Sequence, residues 1–152
     1  MSEHLFDAGP VQPWAGASAA VVEHTVEWVD TDASGHQHNS AIIRWVESAE
    51  AELFRQLALP DYFPSAPRVH QSVNFRAKVW FGQRVTTTIW VQKLGVSSVT
   101  FGFEVRVKPM GERPGGLAAD GIVVAAHVPA GGDSSARWSE HIRGAITEAV
   151  PQ

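Results

Sequence analysis

The sequence predicts an α+β protein: an antiparallel five-stranded sheet wrapped around one central helix, with a second helix near the C-terminus. Three observations carry this. One long stretch repeats its apolar residues every three or four positions, four stretches after it are strand-like, and a single valine-rich stretch precedes it. At 152 residues the chain has the size of one domain with one core. Residues 1–152 are therefore read as a single domain, with 1–18 an N-terminal extension and 129–135 a linker to the last helix.

The first strand is expected between Ala19 and Val29, where Val22, Val26 and Trp28 share one parity. Turn formers follow at once in DTDASGHQHN. From Asn39 to Leu57 the residues Ile42, Trp45, Val46, Ala49, Leu53 and Leu57 recur at helical spacing, with Asn39 or Ser40 as N-cap and Pro60 as stop. Glu47, Glu50, Glu52 and Arg55 make this helix too polar to be enclosed on all sides, so one flank should border a subunit interface or a ligand cleft.

Three alternating segments come next: Val69, Val73, Phe75; then Val85, Ile89, Val91; then Val99, Phe101, Phe103, Val105, Val107. Each is expected to lay one face on the core. The short connections FGQ and KLGVS predict antiparallel neighbours on either side of them. After PMGERPGG, the nearly continuous apolar run Gly121 to Val128 reads as a strand buried on both faces or lying at a subunit contact. PAGGDSS then precedes a surface helix expected over Ala136 to Val150.

Apolar residues make up 44% of the chain and charged residues 18%, which fits a soluble globular protein and not a disordered, collagenous or membrane one. No apolar run approaches the ~18 residues of a membrane helix, and the opening MSEHLFDAGP carries Glu3 and Asp7 where a signal peptide would be basic. A cytoplasmic protein without membrane contact is expected. With no cysteine there is no disulfide framework, thiolate nucleophile or zinc–cysteine site, so nucleophilic chemistry must use oxygen or imidazole.

The net charge of −4 is unevenly spread. Residues 1–67 hold ten acids against Arg44 and Arg55, whereas the stretch from Arg68 to Arg113 holds eight bases against Glu104 and Glu112. Such a stretch suits a phosphorylated ligand; the structural reading is that it pairs with the acidic first half on folding. Nucleic acid is not an expected partner, because the whole chain is acidic and no nucleic-acid-binding motif occurs.

Between the first strand and the helix stands Asp30-Thr31-Asp32-Ala33-Ser34-Gly35-His36-Gln37-His38-Asn39. Read by residue type alone, these are Asx and glycine turn formers that cap backbone groups, or acids brought beside a helix N-terminus for chemistry. A metal site using His36 and His38 with the two aspartates is set aside, since a helix begins at once and the next acid is Glu47.

This segment resembles the signature D-x-D-x-x-G-H-x-N-N of hot-dog thioesterases of the 4-hydroxybenzoyl-CoA thioesterase type, in particular their acyl-CoA branch. The likeness runs from about Val22 to Val107 and includes SAIIRWVESAEAELFRQL and VNFRAKVWFGQRV. It implies hydrolysis of an acyl-CoA or acyl-carrier-protein thioester, with Asp32 in the place of the catalytic carboxylate, as general base or as nucleophile. Asn39 marks the helix start that would polarise the carbonyl, Gly35 lets backbone approach the substrate, and His36 orients Asp32 or the water. His38, Ser98, Arg76 and Lys78 are the expected substrate-binding residues, and Glu47 is the reserve catalytic acid, because other hot-dog branches use a helix carboxylate.

Two departures stand out: His38 occupies a position where the branch commonly has Asn, and Gln83 one where it commonly has an acid. No cofactor is implied beyond coenzyme A as part of the substrate, and a homodimer or homotetramer is. The competing expectation is a binding or regulatory module that holds an acyl thioester without turnover. A dehydratase is not expected, because the Asp-to-His spacing and Asn-Pro pair of that signature are absent.

Overall fold

The computed structural model describes residues 19–149. The expected N-terminal extension and Val150 lie outside them. The elements are β1 (Ala19–Thr25), α1 (Asn39–Gln56), β2 (Arg68–Phe75), β3 (Arg84–Leu94), β4 (Ser98–Val107), β5 (Gly116–Ala126) and α2 (Glu140–Ala149). All five strands form one antiparallel sheet in the order β1-β3-β4-β5-β2, so β1 and β2 are its edges.

The sheet wraps α1 because two apolar surfaces of different period meet. From the sheet come Val85, Ile89, Val91, Val99, Phe101, Phe103 and Val105, and from the helix Ile42, Trp45, Val46, Ala49, Leu53 and Phe54, all buried in one cluster. Truncating a side chain such as Leu53 to alanine there would cost about 2–5 kcal/mol through lost transfer energy and the cavity left behind. The far end of the helix is closed by aromatic stacking, with Phe54 on Tyr62 at 3.6 Å between centroids and Trp138 behind Tyr62 at 6.0 Å.

The polar residues of α1 find partners. Glu50 is buried and accepts from the Tyr62 hydroxyl at 3.1 Å and from the Arg68 guanidinium. Burial first, then the neighbouring Glu50 carboxylate, keeps the Tyr62 phenol protonated far above its usual range. Glu52 pairs with Arg55 on the exposed face. Part of the basic stretch is thus consumed internally: Arg68 by the acidic helix, Arg76 by Asp120 at 3.2 Å and Arg106 by Glu104 at 3.0 Å.

Several expectations are corrected. The first strand ends at Thr25, because Val26 turns into the core while Trp28–Asp30 form a 3-10 turn with Trp28 exposed. The N-cap is His38, one residue earlier than expected, since its Nδ1 accepts the Ser40 N–H.

The FGQ connection does not join sheet neighbours. β2 pairs with β5, β3 pairs with β1 and β4, and residues 76–83 cross from one edge of the sheet to the other side. On the way the backbone bonds to Ala118 and then to the loop before α1, which supplies the partners a hairpin would have supplied. Nor does β2 lay a full apolar face on the core: Val69 and Phe75 are exposed, and only Val73 packs against it. The last helix begins at Glu140 rather than Ala136, because Ala136 and Trp138 are tied by backbone bonds to His127 and Val96 and run extended over the sheet end. Among the described residues no helix is long and apolar enough to cross a membrane.

Candidate functional site

Residues 30–38 close into a small antiparallel ladder. The His38 N–H donates to the Asp30 carbonyl at 2.7 Å, Thr31 bridges Gln37, and the Asp32 N–H donates to the His36 carbonyl at 3.0 Å. Gly35 completes the tip with φ of +90°, a conformation that side-chain-bearing residues rarely adopt, and its N–H returns to the Asp32 carbonyl at 3.0 Å. The helix starts at the base of this ladder. Asp32 therefore stands two residues up from the helix entrance, roughly 7 Å along an extended strand.

Asp32 is partly exposed, and its Oδ1 accepts from the Ser34 N–H at 2.8 Å and from the Ser34 hydroxyl. Those two bonds, side chain first, with the nearby His36 and His38 rings, hold its carboxyl below the ordinary aspartate range, so it is ionised at neutral pH. Among the described residues no hydrogen bond falls on its Oδ2. Asn39 is the first residue of α1, so its N–H has no acceptor within the helix, and the positive end of the helix dipole sits there.

The neighbouring Asp30 does different work. It is buried, its Oδ2 accepts the Glu27 N–H at 2.9 Å, and its Oδ1 meets Arg44 of α1 at 3.0 Å. It ties the ladder to both the preceding turn and the helix. Sequence reasoning missed Arg44 in this role, although an Arg one helical turn past the helix entrance, opposite an Asx turn, was a usable signal.

His36 lies edge-on to Trp80 at 5.5 Å and its main chain bridges that residue, so it orients the loop through packing and backbone. Its Nδ1 is 3.3 Å from the Gln37 carbonyl. His38 caps the helix, with Nδ1 2.9 Å from the Ser40 hydroxyl.

Two glutamines that carry no expected role fix the rest. Buried Gln37 accepts the Val79 N–H at 2.7 Å. Fully buried Gln83 accepts the Trp80 N–H at 2.8 Å and donates to the Lys108 carbonyl at 3.1 Å. A carboxylate at position 83 would have no proton for Lys108, which explains why an amide stands there.

The other expected residues are dispersed. Lys78 is exposed and directly precedes Val79, so it borders the ladder. Arg76 is engaged with Asp120. Glu47 lies eight residues into α1, about 12 Å from its start, exposed and 3.8 Å from Arg68. Ser98 opens β4 at the end where β3 turns, and its carbonyl accepts the Trp138 indole N–H at 3.0 Å. Because the ladder abuts the opposite end of β3 and β4, Ser98 lies about 30 Å away along the ten-residue strand. One chain therefore joins Asp32, Gly35, His36, His38, Asn39 and Lys78, and leaves Ser98 and Glu47 apart from them.

Comparison with known proteins supplies the family. The sequence profile of the thioesterase-like superfamily matches residues 26–146. No curated protein matches significantly. Among solved structures, a thioesterase-superfamily protein from Jannaschia sp. CCS1 is 21% identical with a TM-score of 0.74, covering 97% of this chain and 91% of its own. The 1,4-dihydroxy-2-naphthoyl-CoA thioesterase from Synechocystis is 16% identical with a TM-score of 0.71, over 85% of this chain and 96% of its own. A Staphylococcus aureus protein in complex with CoA reaches a TM-score of 0.76 at 11% identity, over 88% of this chain and 85% of its own. At such identities the structures establish a shared hot-dog fold, and the profile, which spans most of the chain including the ladder and the helix, establishes descent: the chain belongs to the thioesterase-like superfamily.

Proposed function

We propose that the protein hydrolyses an acyl thioester, carried on coenzyme A or on an acyl carrier protein, with Asp32 as the catalytic carboxylate. One observation carries the assignment: an aspartate held by Ser34 at a glycine turn stands two residues up the ladder from the entrance of a helix, roughly 7 Å along the strand. A thioester carbonyl bound between the two would take its contacts from Asp32 on one side and the Asn39 amide on the other.

In the general-base route, Asp32 takes a proton from water, and the resulting hydroxide adds to the carbonyl carbon. Negative charge then develops on the carbonyl oxygen, where the Asn39 amide and the helix dipole stabilise it. Collapse breaks the carbon–sulfur bond and releases thiolate and carboxylic acid. In the nucleophilic route, Asp32 attacks directly, the thiolate leaves, and water cleaves the mixed anhydride. The neighbour solved with CoA and the neighbour that acts on a naphthoyl-CoA support coenzyme A as one carrier.

The test is a panel of short, long and aromatic acyl-CoAs with the released thiol read chromogenically. Asp32→Asn should lower kcat by about a hundredfold or more, the usual contribution of a positioned base or nucleophile, with KM little changed. Loss of a mere turn cap would cost only about 1 kcal/mol of stability and leave kcat intact. Glu47→Gln, on the exposed flank of α1, should stay near native. Native turnover in Asp32→Asn with loss in Glu47→Gln would move the reaction to the helix acid; native turnover in both would overturn hydrolysis driven by Asp32 or Glu47.

A further inference from the structure

Trp80 takes no part in the hydrolytic steps, yet the candidate catalytic loop is built against it. Thr31 pairs with Gln37, and His36 pairs in turn with Trp80, both in antiparallel bridges. The Gln37 N–H donates to the Val79 carbonyl at 2.7 Å, and the Phe81 N–H to the Gly35 carbonyl at 3.4 Å. The two arms of the loop are thus joined by residues 79–81 into a three-stranded patch. Asp32 lies opposite His36, since its N–H donates to the His36 carbonyl at 3.0 Å, and His36 lies opposite Trp80. Directly paired residues of an antiparallel ladder project to the same face, so Asp32, His36 and Trp80 form one cross-strand row.

The far end of this row is clamped. Trp80 meets the His36 ring edge-on at 5.5 Å, and a Cβ placed at Gly35 would lie 3.9 Å from the indole. From the β4–β5 connection the Arg113 guanidinium reaches to 3.6 Å from the Trp80 ring centroid, which is a cation–π contact. Gln83 brings these segments together. Its side-chain oxygen accepts the Trp80 N–H at 2.8 Å, while its nitrogen donates to the carbonyls of Lys108 at 3.1 Å and Pro114 at 3.4 Å, near the two ends of that connection. Between them Met110 and Arg113 exchange backbone hydrogen bonds at 3.0 and 2.9 Å, so Arg113 stands on a closed turn. Trp80 is half-buried and lies outside the hydrophobic core cluster, so filling the core does not account for it.

We propose that Trp80, clamped by Arg113, is the positioning residue of Asp32: it fixes His36, and through His36 the arm of the loop that carries the carboxylate. The proposal rests on the reading of Asp32 as the catalytic carboxylate and names what holds it in place. Ser34 lies in the same turn as Asp32, so its bonds orient the carboxylate within the turn but do not fix the turn against the rest of the protein. Asp30 and Arg44 fasten the base of the ladder to α1, and Trp80 fastens its tip to the sheet.

Turnover, rescue and hydrogen exchange test it together. Trp80→Ala should lower kcat on the best acyl-CoA by about tenfold or more with KM little changed, because a misplacement of about 1 Å is enough for such a loss. Trp80→Phe keeps a ring for both contacts and should restore kcat to within about threefold of native. In the Asp32→Asn protein Trp80→Ala should have no further effect, since residues that act as one unit are not additive. Independently of turnover, the amides of Asp32, Gly35 and Gln37 should exchange faster in Trp80→Ala while those of β3 and β4 keep their native rates. If Trp80→Ala does not fold, Trp80→Leu carries the same expectations.

Native kcat in Trp80→Ala overturns the proposal, as does a loss that Trp80→Phe does not restore. So does an equal loss with and without the Asp32 carboxylate, or unchanged exchange in the loop. A native protein that hydrolyses no thioester, with exchange accelerated in the loop of Trp80→Ala, would overturn the hydrolytic function instead and leave Trp80 as the residue that holds the loop.

Discussion

At the scale of single residues, the site depends on which hydrogen bonds are made rather than on which residues are present. Asp30 and Asp32 are chemically alike and two positions apart, yet one is buried and consumed by Arg44 and Glu27, while the other is partly exposed and held by Ser34 through one oxygen. The signature was legible in the sequence because aspartate, glycine and a helix start at fixed offsets constrain a turn. The assignment of His38 to the cap was not, since an imidazole nitrogen acting as acceptor leaves no pattern in composition. Gln83 was noticed only as a departure, and its burial between two backbone carbonyls and an amide supplies the reason. Ser34 yields a prediction. Its two bonds lower the Asp32 pKa, and in the proposed mechanism the ionised form is the active one, so they would extend activity to lower pH. Ser34→Ala removes the larger of them and should move the acid limb of the kcat/KM profile upward, toward the ordinary aspartate value of 3.8, with the plateau largely retained. An acid limb that stays in place would show that a group other than Asp32 governs it.

At the scale of elements, α1 and the strands β3 and β4 were readable because their apolar periods, 3.6 and 2, have a covered face to report. The crossover at residues 76–83 was not, because a short connection carries no record of which strands it separates: the partners of that backbone are Gln37, His36 and Ala118, distant in sequence. The contact between β1 and α1 gives a second prediction. His24 packs on Trp45 at 4.9 Å, and its Nε2 is buried with no hydrogen-bond partner among the described residues. Burial is the largest influence and lowers its pKa from 6.5; Arg84 acts in the same direction, while Asp30 and Glu27 oppose. A histidine whose folded pKa lies below its unfolded value contributes stability above about 6.5 that is lost as pH falls through the folded value. The Tm should therefore drop on acidification below that pH, and His24→Phe, which keeps the ring contact and removes the titration, should flatten that part of the curve. Parallel curves for the two proteins would assign the acid sensitivity to other groups.

For the whole molecule, the unfinished edge decides the assembly. β2 ends the sheet with Val69 and Phe75 exposed and a row of backbone groups facing away from β5. An edge strand of eight residues with exposed apolar side chains among its polar ones is what folded proteins cover or pair. The opposite edge, β1, is backed by α1 through Trp45 and His24. A homodimer joined through β2, the assembly that the sequence resemblance implies, would close this edge. It would also place a partner beside residues 76–79, which lead directly from β2 to the ladder, and bring together residues that one chain keeps some 30 Å apart. The prediction is an oligomeric mass of at least twice the 16.5 kDa of the chain by light scattering at micromolar concentration. Val69→Lys combined with Phe75→Lys puts two charges on exposed positions of the edge strand and should shift the mass to 16.5 kDa while far-UV circular dichroism stays native, because neither side chain belongs to the core. If the active cleft is shared between subunits, thioester turnover should fall in step with dissociation and recover as concentration rises. A native protein of monomer mass, or a dissociated variant with full turnover, would show that one chain holds the entire site.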